Sequence, residues 1–175
     1  FHRLGADVRS FRIIDRTSAN DPRFEPEIEN ADLIYFSGGN PNYLYQTMNG
    51  SRAWIAAQKA WSRGAAYAGC SAGAMILGRF IPDFWRMKFS QAFGIVPATY
   101  ILPHFGAFPA IGTPFFNALV KRLKEGETIL GINEETALIG DLNGRGRWRV
   151  HGHQTVSRFT REEKRVFQVG EEVIW

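Results

Sequence analysis

Ala66-Tyr67-Ala68-Gly69-Cys70-Ser71-Ala72-Gly73-Ala74-Met75 carries the chain from an apolar run into a turn flanked by glycines. Residues 65–68 read as a buried strand and residues 74–77 as the start of a helix. Gly69-x-Ser71-x-Gly73 therefore sits in the strand–turn–helix context of a nucleophile elbow. The two glycines permit a sharp turn around a serine held in a strained backbone conformation. Such a turn lifts the hydroxyl out of the sheet. It also leaves the next amide N–H at a helix start, where it can face developing negative charge. A strand–helix turn with an incidental serine would show the same pattern, so the elbow needs partners before it implies chemistry.

The segments around the elbow alternate between strands and helices. On its N-terminal side, residues 31–36 are apolar enough for an interior strand, which ends in Ser37-Gly38-Gly39-Asn40-Pro41. A helix carrying Tyr43, Leu44 and Met48 is expected just after. Ser51 reads as the N-cap of an amphipathic helix through Trp54, Ile55, Ala57, Gln58 and Trp61, closed by Gly64. Residues 6–14 read as a strand that already follows something, because Leu4-Gly5 looks like a helix end and the chain opens on Phe1. A further strand and helix are expected ahead of it. A polar, proline-containing loop occupies residues 15–26. Strands joined by helices of this length imply parallel pairing through crossovers. The expected fold is α/β, a three-layer sandwich on a mostly parallel sheet.

On the C-terminal side, residues 80–93 form an aromatic-rich stretch expected to be irregular and to cover the site. Residues 100–105 read as a short strand ending at His104, and residues 113–124 as a helix with Pro114 in its first turn. Short strands are then expected at 128–132, 136–139, 148–150, 155–159 and 166–169, making a β-rich, antiparallel tail. No linker sets this tail apart, so residues 1–175 are expected to form a single domain.

Composition bounds the function. Hydrophobic residues at 45% and charged residues at 22% over 175 residues describe an ordinary globular protein with room for a core. The net charge of +4 is spread along the chain, and its densest basic stretch, Arg145-Gly146-Arg147-Trp148-Arg149, fits a solvated strand edge better than a nucleic-acid site. The single cysteine, Cys70, excludes an internal disulfide and fits a reducing, cytoplasmic compartment. No apolar run approaches the ~20 residues of a membrane span, and no signal peptide is read in the sequence.

A nucleophilic serine needs a base within hydrogen-bond reach and a carboxylate to orient that base. Among the four histidines, His104 stands at a strand end, where open α/β sheets place their ligand sites. Packing under the Phe105 ring is its structural alternative. His2 lies in the presumed helix end. His151 and His153 alternate in a strand and suit a solvent-facing edge better than a metal pair, for which no third ligand suggests itself. Gly131-Ile132-Asn133-Glu134-Glu135-Thr136-Ala137-Leu138 offers two adjacent glutamates between apolar strands, of which only one should turn inward. The Ser37-Gly38-Gly39-Asn40 turn has the unobstructed amides that an oxyanion hole requires.

Taken together, four segments resemble the peptidase E and cyanophycinase family of serine peptidases: Phe36-Ser37-Gly38-Gly39-Asn40, Gly69-Cys70-Ser71-Ala72-Gly73-Ala74, Pro103-His104-Phe105 and the Gly131–Leu138 run. The resemblance implies a fold like that of class I glutamine amidotransferases, with serine in place of cysteine at the elbow. It implies a catalytic triad of Ser71, His104 and Glu134, with Glu134 preferred to Glu135. It also implies an oxyanion hole made by the amides of Gly39 and Ala72, with Asn40 binding substrate and Cys70 a spectator. The expected activity is hydrolysis of a peptide or isopeptide bond in a small peptide, as in a dipeptidase. No metal or organic cofactor is required. A small peptide is the expected partner, with no nucleic acid and no membrane, and a homodimer is allowed.

Relatives specific for acidic residues use basic side chains after the histidine segment. Residues 106–116 contain no Arg or Lys, so an acidic acyl side is not expected unless Arg79, Arg86 or Lys88 supplies the charge. Two other readings compete. An α/β-hydrolase-type esterase would use Ser71, Asp141 and then His151 or His153, but no His-Gly-Gly-Gly oxyanion motif appears. A catalytically inactive amidotransferase-like binding domain would have no need of all three triad groups.

Overall fold

A computed structural model describes every residue except 84, 85, 87, 108–112, 142–146 and 175. Five α-helices are described: α1 (Glu25–Glu29), α2 (Pro41–Met48), α3 (Arg52–Ser62), α4 (Ala72–Met75) and α5 (Pro114–Lys121). The strands are β1 (Leu33–Phe36), β2 (Ala66–Gly69), β3 (Phe80–Asp83), β4 (Lys88–Gln91), β5 (Tyr100–Pro103) and β6 (Ile129–Ile132). The tail adds β7 (Thr136–Gly140), β8 (Arg147–Gly152), β9 (Val156–Phe159), β10 (Lys164–Phe167) and β11 (Glu172–Ile174). The α/β class read from the sequence is thus found.

Two compact units make up the chain, residues 1–34 with 46–67 and residues 35–45 with 68–175. The first is built on α3. Ser51 is fully buried, and its Oγ accepts a hydrogen bond from the Trp54 N–H at 3.1 Å, capping the helix as its sequence position demands. Ala53, Ala56, Ala57 and Ala60 form a buried small-residue face, and α1 packs on α3. Arg52 reaches Glu25 at 2.7 Å, and Lys59 pairs with Glu29. The Trp61 ring meets Trp54 and Tyr67 edge-on, each at 5.1 Å between centroids. Residues 6–14, expected as a strand, have no regular structure. Among the described residues no strand pairs with them, so their alternating pattern has no ladder to join.

β1 and β2 form a two-stranded sheet. The Ala66 N–H donates to Asp32 O at 2.8 Å and the Cys70 N–H to Phe36 O at 2.9 Å, so donors and acceptors advance together, as in parallel strands. Neither strand is the buried interior strand expected. Leu33 and Tyr35 are exposed on β1, and β2 is at most half-buried.

In the second unit, one sheet runs in the order β10-β9-β6-β5. β5 and β6 are parallel in the register Tyr100↔Ile129 to Pro103↔Ile132, whereas β6–β9 and β9–β10 are antiparallel. A second sheet, β11-β8-β7, is antiparallel throughout. Leu102, Ile129, Phe105, Phe116 and Phe159 share one core cluster, while Ile101, Leu130, Val150, Val156 and Phe167 share another. The described part of the stretch 80–93 is not wholly irregular: β3 and β4 pair antiparallel from Phe80↔Gln91 to Asp83↔Lys88, while residues 84, 85 and 87 lie outside the described residues. Its aromatic residues are good strand formers, and the rings of Phe80 and Phe89 pack on Tyr100 at 6.1 and 5.4 Å. The helix after the elbow begins at Ala72 rather than Ala74 and lasts one turn, and α5 ends at Lys121 rather than Lys124. β11 was not expected. It lies beside β8, where Glu172 meets Arg149 at 3.0 Å and Arg147 at 4.0 Å, and so neutralises the described end of the basic stretch.

Candidate active site

Parallel strands bring their C-terminal ends to the same sheet edge. His104 follows β5 directly, and Glu134 comes two residues after the paired strand β6. Their side chains meet there: His104 Nδ1 lies 3.1 Å from Glu134 Oε1. Glu135 is exposed, and no contact of its carboxylate with His104 is found among the described residues. With Nδ1–H donating to the carboxylate, Nε2 is left as the acceptor a base needs. Phe105, rather than His104, enters the core; the histidine side chain is half-exposed.

Ser71 stands at the N-cap of α4 with φ 52° and ψ −112°. A serine at an N-cap ordinarily accepts a hydrogen bond from the helix amides. Ser51 does so for Trp54, and Thr113 does so for Phe116 at 3.3 Å. Ser71 makes no such cap, so its hydroxyl is not committed to the helix. The turn is held tightly from behind. A Cβ at Gly73 would fall 2.3 Å from Phe36 O, so only glycine lets α4 approach β1 this closely. Across from the serine, the Cβ position of Gly38 lies 3.3 Å from Ser71 Cβ. Gly39 has φ +136°, with nothing within 4 Å of where a side chain would stand. Ala72 opens α4, so its N–H has no acceptor within the helix.

α4 packs against β5, which relates the elbow to the strand that ends at His104. Among the described residues no hydrogen bond joins Ser71 Oγ to His104. Catalytic hydrogen bonds are often long without substrate and tighten only in the complex. Backbone strain marks Ser71, His104 and the neighbour of Glu134. The non-glycine residues with positive φ among those described are Ser71 (52°), His104 (54°) and Glu135 (51°). Such conformations cost roughly 1–3 kcal/mol each and cluster at functional sites.

Asn40 accepts the Tyr43 N–H at 3.0 Å through Oδ1, which caps α2, and the residue is exposed. Two contacts here were not read from the sequence. Cys70 shares a hydrogen bond with the Tyr35 hydroxyl, which together with partial burial raises the Tyr35 phenol above its ordinary value. Asn133, Thr136 and Thr155 form a network around Glu134 that spacing along the chain does not signal. His151 lies within β8 and His153 just beyond it; both are exposed, and no cluster of metal-ligating side chains occurs among the described residues.

The profile of Peptidase family S51 matches residues 1–143. The chain belongs to peptidase family S51. A peptidase from an acI-B1 Actinobacterium has a similar crystal structure, with a TM-score of 0.87 and 30% identity over 99% of this chain and 72% of that one. A putative peptidase E from Listeria monocytogenes EGD-e shares the fold with a TM-score of 0.58 at 18% identity, over 97% of this chain and 74% of that one. No curated protein matches the chain. This S51 member is accordingly a serine peptidase. No helix among its described residues is long and apolar enough to cross a membrane.

Proposed function

We propose that the chain acts as a single catalytic domain, residues 1–175, which hydrolyses a peptide or isopeptide bond of a small peptide through Ser71, His104 and Glu134. The observation that carries this reading is the 3.1 Å contact of His104 Nδ1 with Glu134 Oε1 at the ends of two adjacent parallel strands. His104 Nε2 takes the Ser71 proton as Oγ attacks the substrate carbonyl carbon. The Gly39 and Ala72 amides hold the oxyanion, and loss of one such donor costs about 2.7–4 kcal/mol elsewhere. The C–N bond then breaks, and the amine leaves with the proton from His104. Water, deprotonated by His104, cleaves the acyl-enzyme and restores Ser71. Asn40, exposed beside the Gly38–Gly39 turn, binds the substrate. The fold proposed is that of class I glutamine amidotransferases, a three-layer sandwich on a mostly parallel sheet. A cytoplasmic location and an optional homodimer belong to the same reading.

Specificity for acidic residues is not part of this proposal. Arg79 is engaged with Glu127 at 3.8 Å and lies over the Phe80 ring, and Arg86 is paired with Asp83 at 3.6 Å. Residues 108–112, within the stretch that carries basic groups in relatives of that specificity, lie outside the described residues. A panel of X–Ala and isopeptide-linked dipeptides tests the reading. Turnover of any member that is lost in Ser71→Ala supports it, no turnover of any member by the folded chain contradicts it, and a preference for Asp–Ala would overturn only the exclusion of acidic residues.

A further inference from the structure

The His104 and Glu134 side chains are 52% and 56% exposed, so their contact is a surface ion-pair geometry. Exposed pairs contribute only about 0–1 kcal/mol and do not hold two side chains in place by themselves. The geometry must come from the backbone that carries them, and the structure shows what holds it.

Glu134 sits in a turn gripped on both sides by residues 153–155. Before it, the Asn133 N–H donates to Thr155 O at 3.2 Å, and Asn133 Nδ2 donates to Thr155 Oγ1 at 3.0 Å. After it, the Glu135 carbonyl accepts the His153 N–H at 2.9 Å. Thr136 completes the grip: its hydroxyl donates to Glu134 O at 3.0 Å and accepts the Gln154 N–H at 3.1 Å. Gly152, with φ +111°, lets the strand come in close, since a Cβ there would fall 2.1 Å from Glu135 O. The far end of the Asn133 amide faces the turn after His104. Asn133 Oδ1 lies 3.3 Å from the Cβ position of Gly106, and the Ala107 N–H closes that turn onto His104 O at 3.0 Å.

We infer that Thr136 and the Asn133–Thr155 pair are positioning residues, which fix the Glu134 carboxylate against His104 by tying its turn to residues 153–155 and spacing it from the His104 turn. This rests on the Ser71–His104–Glu134 reading above. None of the three touches the reacting atoms. Their effect passes through Glu134, so it disappears when Glu134 can no longer orient the histidine.

The test uses the full chain and a fluorophosphonate probe, whose phosphorus Ser71 Oγ attacks with loss of fluoride. The rate of labelling is resolved into its maximal rate and its half-saturating concentration, and melting is followed in parallel. Thr136→Val and Thr155→Val should each lower the maximal rate about 10-fold, below the roughly hundredfold that a misplacement of about 1 Å can cost, with half-saturation unchanged. Thr136→Ser and Thr155→Ser, which keep the hydroxyl, should restore it. In a Glu134→Gln background the valine substitutions should cost nothing further. Folded valine variants that label at the parent rate overturn the inference, as does an equal loss in the Glu134→Gln background. Glu134→Gln itself separates the two levels. If it labels like the parent, the triad reading fails; if it is slow while the valine variants are not, only the positioning role fails.

Discussion

At the scale of single residues, the proposed site is drawn from short motifs. Ser71 is announced by its glycines, His104 by its place after an apolar strand, and Glu134 by its turn between two strands. The family resemblance prefers Glu134 to Glu135, and the contact of Glu134 with His104 Nδ1 supports that choice. Glu134→Gln should slow fluorophosphonate labelling at least about a hundredfold, the wrong-tautomer penalty of a triad whose carboxylate is lost. Glu135→Gln should change it less than about twofold, as expected of an exposed substitution. Equal effects of the two would contradict the assignment. Thr136 and Thr155 were not legible. Each is an ordinary strand residue in the sequence, and it acquires a role only when chain folding brings residues 153–155 onto the Glu134 turn.

At the scale of elements, the clearest successes are helices with local signals. The Ser51 cap of α3 needs only its own first turn, so its sequence pattern suffices. Ser51→Ala should cost about 1 kcal/mol and lower the melting temperature by about 2–4 °C. An unchanged melting curve would mean that the cap adds nothing. The 3₁₀ turn Pro22–Phe24 offers a pH test, because the Arg23 guanidinium and N–H beside Asp21 pull its carboxyl down to about 2. A lowered carboxylate contributes stability above its unfolded value and loses it as pH falls through the folded one. The melting difference between the parent and Asp21→Asn should therefore be constant above about pH 5 and fall away progressively towards about pH 1. A difference that grows on acidification would reverse the sign.

Strands were legible where an apolar run is unbroken, as in β5 and β6, and misread where alternation alone stood for pairing or where the run is interrupted. Residues 6–14 alternate like a strand yet pair with none among the described residues. The β3–β4 pair was hidden because Pro82 and the charged residues break its pattern, although its register is regular.

At the scale of the whole molecule, membership of family S51 and the 0.87 TM-score to an actinobacterial peptidase agree with the α/β class drawn from alternating elements. Ser71, His104 and Glu134 all lie in the larger unit, which also holds the Gly38–Gly39 turn. The proposed mechanism uses side chains and amides alone. Labelling should therefore be unaffected by prolonged dialysis against EDTA, and a loss restored by a divalent metal would require a different mechanism.

The most direct test of the central claim is intact-mass measurement after treatment with a fluorophosphonate probe, on the parent chain beside Ser71→Ala and His104→Ala. The proposed triad predicts a single adduct on the parent and none on either variant. Labelling that survives His104→Ala, or a folded parent that takes up no probe, would contradict it.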